Sequence, residues 1–136
     1  SDALGLPVQP PLLTTGESVD DHQELDLARA LDYALDPSGL PALIQTFMES
    51  LATSRKALDQ ALRDRHAQEV ALQLHAFKGF MPIFAGASLS EAIVDLEQLA
   101  KTGTLASVQA AWEALAPRLQ RLEWELTRTQ ERYHPG

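Results

Sequence analysis

His75, Lys78 and Gly79 lie within the stretch Leu74-His75-Ala76-Phe77-Lys78-Gly79-Phe80. On a helix of roughly 100° per residue, with His75 at zero, Lys78 falls at about −60°, Gly79 at about +40° and Pro82 at about −20°. Val70, Leu74, Phe77, Met81 and Phe84 gather on the other side, between roughly 180° and 260°. The spacing therefore predicts an imidazole on the outward face, with a cation and a bare patch of backbone beside it. A neutral imidazole, with an unperturbed pKa of about 6.5, is a competent nucleophile near neutral pH. A phosphoryl group on its distal nitrogen would carry close to two negative charges, which a lysine one turn away can pair as a mobile point charge. Gly79 leaves a gap through which a second reactant can approach in line.

The rest of the chain holds no machinery to make that phosphoryl group. It has no glycine-rich phosphate loop, no Walker pattern and no carboxylate cluster for magnesium. On this reading it is a phosphocarrier without an ATP-binding or kinase site of its own. There is no cysteine, and the four histidines, His22, His66, His75 and His134, show no metal-ligand spacing. No metal and no cofactor are therefore expected. A net charge of −8 argues against nucleic acid or an anionic membrane surface as a partner. No apolar run approaches the roughly 20 residues needed to span a bilayer. The expectation is a cytoplasmic domain, with any tether to the inner membrane supplied by the rest of a longer chain.

The 136 residues suffice for one domain with its own core. Residues 1–20, rich in Pro and Gly, read as a flexible linker, and 21–134 as the folded domain. Asp21 and Glu24 resemble a capping box opening a short helix whose inner face is Leu27, Leu31 and Leu35. Asp36-Pro37-Ser38-Gly39 breaks it, and Pro41 sits in the first turn of the next. That helix carries the stripe Leu43, Phe47, Leu51, Leu58 and Leu62, with Ile44 and Ala61 beside it. The His75 helix follows and should end near Pro82. A fourth segment shows Leu89, Ile93, Leu96 and Ala100, closed by Gly103. The last runs through Leu105, Val108, Trp112, Leu115, Leu119, Leu122 and Leu126, and Pro117 should kink or divide it. No segment alternates with period two. The expected fold is all-α: an antiparallel up-and-down four-helix bundle with a short additional N-terminal helix.

His75-x-x-Lys78-Gly79, with Phe84, Leu89 and Leu96-Glu97 downstream, resembles the histidine phosphotransfer domain, from about Leu25 to the end of the last helix. The resemblance implies a domain, often the C-terminal module of a hybrid sensor histidine kinase, that relays phosphoryl groups between receiver-domain aspartates. It implies His75 as the phosphorylated residue, Lys78 as the phosphate's partner, Gly79 as clearance and Glu97 as the group holding the proximal ring nitrogen. Its partners would be response-regulator receiver domains, which would carry Mg2+, and the isolated domain would be a monomer. Gln68, Ala71, Leu72 and Pro82, on the outward face around His75, would form the docking surface.

Three positions depart from the family pattern: Phe80 where a small residue is usual, Pro82 on the histidine face, and Ala85, followed by Gly86, where glycine is common. Phe80, at about 140° on the wheel, is expected to pack at the core margin. His66 falls on the core side of the same wheel and reads as structural. A second reading is an interaction module that binds or sequesters a signalling partner without accepting phosphate; the intact His75 and Lys78 favour chemistry.

Overall fold

The structure, a computed structural model, describes residues 23–133. The linker expected over 1–20, and Asp21 of the expected capping box, lie outside the described residues. The described chain is all-helical, with α1 (Leu27–Ala34), α2 (Leu40–Arg63), α3 (Ala67–Phe80), α4 (Ala87–Thr102) and α5 (Leu105–Tyr133). Tight 3-10 turns at Pro37–Gly39 and Met81–Ile83 precede α2 and α4. No strand occurs among the described residues, only an isolated antiparallel bridge between Leu25 and Ala85.

Local chemistry sets each start and stop. The Asp26 side chain caps α1 by accepting from the backbone N–H of Arg29 at 3.0 Å, so the helix starts at Leu27 and not from the expected Asp21–Glu24 box, whose Glu24 lies ahead of it. This helix turns Ala30 fully inward, with Leu27 and Leu31 half-buried against the core. Leu35, expected on that inner face, is 89% exposed. The helix ends at Ala34, and Leu35 turns to a φ of 68°, away from the helical screw. Asp36 accepts from the N–H of Ser38 and opens the Pro37 turn, and Pro41 begins α2 as expected.

α2 buries Leu40, Ile44, Phe47, Leu51, Leu58 and Leu62, while Leu43 is only half-buried beside them. α3 buries Val70, Leu74 and Phe77, and α4 buries Leu89, Ile93 and Leu96. Gly103 ends α4 as expected, where a Cβ would come within 2.8 Å of Leu99 Cδ1. α5 runs as one helix through Pro117, so of the kink or division expected there the division does not occur. Pro117 lies on an exposed face, where the carbonyl it leaves unpaired can be hydrated.

α2 packs against both α3 and α5, α3 against α4, and α4 against α5; α1 rests on α2 and on the Met81–Ile83 turn. Four phenylalanines tie α2 to α3 and the turn after it. Phe47 meets Phe80 edge-on at 5.6 Å and Phe84 at 4.7 Å, and Phe77 meets Phe80 at 5.5 Å. Phe80 thus packs at the core margin, as its wheel position predicts. Trp112 is buried against Phe77 and donates its indole N–H to Asp59 at 2.7 Å. No helix among the described residues is long and apolar enough to cross a membrane.

The segment ahead of α1 is bound on both sides. The N–H of Gly86 donates to the carbonyl of Glu24, and the N–H of Asp26 to that of Phe84, both at 2.7 Å. The buried carboxylate of Glu125, on α5, accepts from the backbone N–H groups of Glu24 and Leu25 at 3.0 and 2.9 Å. Arg118 grips the Glu24 carboxylate with two nitrogens, each at 2.8 Å. Glu125→Ala would strand two buried donors and should cost about 2–3 kcal/mol. A urea unfolding curve with a lowered midpoint and an unchanged slope is the expected result.

Candidate functional site

α3 and α4 lie side by side, and their contact sets the site. α4 turns Glu97 inward with Ile93 and Leu96, so a carboxylate sits at the margin of the core with only 4% of its surface exposed. A buried charge needs close partners. α3 supplies two: Lys78 Nζ lies 2.8 Å from Glu97 Oε1, and His75 Nδ1 lies 2.9 Å from Oε2.

The Lys78 contact is the main reason the Glu97 carboxyl titrates below its ordinary value. Burial opposes the shift, and His75 and Lys101 add to it. An ionised carboxylate only accepts, so the proton between them belongs to His75 Nδ1. That tautomer leaves the lone pair of neutral imidazole on Nε2, at the far edge of a side chain that is 68% exposed.

The structure therefore brings His75, Lys78 and Glu97 together. Gly79 is exposed, and a Cβ built there meets nothing within 4 Å. The chain's own packing gives no reason for a glycine in the last turns of α3, where it weakens the helix. Leu72 is 59% exposed, with Gln68 exposed and Ala71 half-buried. Together with His66, Glu69 and His75 they line a shallow cleft of ≈ 520 Å³.

α3 ends at Phe80, so Pro82 lies in the following turn, half-buried, and the helical angle that put it beside His75 does not apply. Its carbonyl accepts from Arg29 Nη1 at 3.0 Å. His66 also differs from expectation: it is exposed and on the rim of the cleft. It occupies the N-cap of α3 with φ −95° and ψ 86°, off the helical screw on which its core-side angle was reckoned.

One residue of the cluster escaped the sequence reading. Lys101 Nζ lies 3.9 Å from Glu97 Oε2, four residues further along α4. Its spacing from Glu97 was the available signal. Among the described residues, no group of three or more His, Cys, Asp or Glu side chains is placed to hold a metal ion.

Compared with known proteins, the chain matches no family model, no curated protein and no solved structure.

Two measurements check this geometry. Gly79→Ala should stabilise the domain by about 0.5–1 kcal/mol, because the added methyl meets open space and removes backbone freedom from the unfolded chain; a thermal melt reads it. Glu97 has a folded pKa below its unfolded one, so its contribution is present above the ordinary value of 4.5 and is lost as pH falls through the folded value. Glu97→Gln should therefore flatten the fall of stability as the pH drops below 4.5, as seen in denaturant midpoints across pH.

Proposed function

We propose that the chain is a histidine phosphotransfer domain in which His75 accepts a phosphoryl group from one receiver-domain aspartate and passes it to another. In this reading α2 to α5 form an antiparallel up-and-down four-helix bundle, with α1 as the short additional helix. The neighbour contacts α2–α3, α3–α4, α4–α5 and α5–α2 support it. The observation that carries the functional reading is the exposed His75 ring, with Nδ1 held at 2.9 Å by a buried carboxylate that also binds Lys78.

The chemistry follows from that arrangement. The Nε2 lone pair attacks the phosphorus of an aspartyl phosphate; an N–P bond forms, the O–P bond breaks, and the aspartate leaves as a carboxylate. Nδ1 keeps its proton, so the ring gains positive charge as its other nitrogen is phosphorylated, and Glu97 balances it. Lys78, 39% exposed, is within reach of the phosphoryl oxygens as well as of Glu97. Return transfer reverses each step.

Mg2+ belongs to the receiver in this reading, where it would neutralise charge on the phosphoryl oxygens. Gln68, Ala71 and Leu72 offer the docking row, with Pro82 at its edge, and Gly79 leaves room for the incoming aspartate. The domain acts as a cytoplasmic monomer, independent of nucleic acid and without direct membrane contact.

The test is transfer from phosphorylated receivers. His75→Gln should abolish acid-labile label and leave the helical circular dichroism unchanged. Label that persists in this variant and disappears with His66→Gln would overturn the assignment. Receiver binding with no label on the wild-type chain would instead make it an interaction module.

A further inference from the structure

Glu97 is a carboxylate, and in the unphosphorylated site Lys78 is the cation that holds it, through Oε1 at 2.8 Å. A phosphoryl group on His75 carries about two negative charges and competes for that lysine. If Lys78 turns outward, a carboxylate that is 4% exposed keeps only the imidazole N–H. Such a group does not stay buried and ionised without another partner.

We propose that Lys101 is the stand-by counter-ion of Glu97, a positioning residue that takes over the carboxylate when Lys78 moves to the phosphoryl group. It projects from the same helix as Glu97, four residues on, with Nζ at 3.9 Å from Oε2. That lies outside hydrogen-bond distance, yet about 1 Å of movement of a flexible stem would close it. Lys101 is 55% exposed, and no hydrogen bond holds it elsewhere among the described residues. Lys78 can then serve the phosphate while Glu97 stays ionised on Nδ1–H, so the ring keeps its tautomer through the transfer.

The need arises from the carboxylate: a neutral amide at position 97 would require no counter-ion. The role of Lys101 must therefore vanish when Glu97 becomes Gln, and this separates it from a general effect of surface charge. The inference rests on the phosphotransfer reading of His75 and reaches beyond it to how the site redistributes its cations.

The experiment labels the wild-type chain, Lys101→Met, Lys101→Arg, Glu97→Gln and the double variant Glu97→Gln/Lys101→Met. The donor is phosphoramidate, which releases ammonia as its phosphoryl group moves to the imidazole. Decay of the acid-labile label is then followed. Lys101→Met should shorten the phosphohistidine lifetime about three- to tenfold, within the range of coupling between contacting groups. Lys101→Arg should restore it, and adding Lys101→Met to Glu97→Gln should change nothing further. The melting temperature of unphosphorylated Lys101→Met should stay near that of the wild type, since Lys78 then holds Glu97. Equal lifetimes for wild type and Lys101→Met, or an equal loss in both Glu97 backgrounds, overturns the counter-ion role and leaves the phosphotransfer reading standing. A wild-type chain that takes no label from phosphoramidate or from phosphorylated receivers overturns both.

Discussion

A carboxylate withdrawn from water must find its partners inside the protein, and Glu97 finds them one helix away. Its two oxygens face Lys78 and His75, which are three residues apart on α3. Both contacts form only if α3 and α4 keep one rotation and one register. A slip of one residue would swing the lysine or the imidazole off the carboxylate and leave a charge without relief. The pair of helices is thus indexed by a polar contact, and the apolar stripes behind it supply most of the attraction. The orientation of the imidazole follows from that indexing.

Behind the site, the aromatic cluster does a different job. Phe47 on α2 touches both Phe80, at the end of α3, and Phe84, just past the following turn. The C-terminal end of the His75 helix is therefore anchored in the core one residue after Gly79. The residue that leaves space on the outside is backed by bulk on the inside. A partner approaching over Gly79 would meet a firm surface, because buried aromatic side chains leave little slack.

Much of this was legible in the sequence because helical periodicity is a local property. The stripes through Leu51 and Leu58, through Val70, Leu74 and Phe77, and through Leu119, Leu122 and Leu126 each declare their inner face. The outward placement of His75 and Gly79 followed from the same spacing. The failures share a cause: Leu35 and His66 each lie just beyond a helix end, where the screw that assigns a face has stopped. Pro117 does not divide α5, and whether a proline breaks a helix depends on whether the carbonyl it leaves unpaired meets water. The clamp of Glu24 by Arg118 and Glu125 joins positions 94 to 101 residues apart, and no local pattern announces a pairing of that span.

That clamp also gives the domain a direction of mechanical load. Tension applied to the chain ahead of residue 23 reaches Glu24 first, where Arg118 and Glu125 pass it to the middle of α5, the longest helix described. The contacts there would be loaded in parallel, since the backbone pairs with Phe84 and Gly86 share the pull with the side-chain grip. α1 lies downstream of this anchor, and so does the His75 helix. A tug on the leading segment would be grounded in α5 before it could peel α1 away or disturb the spacing of His75 and Glu97.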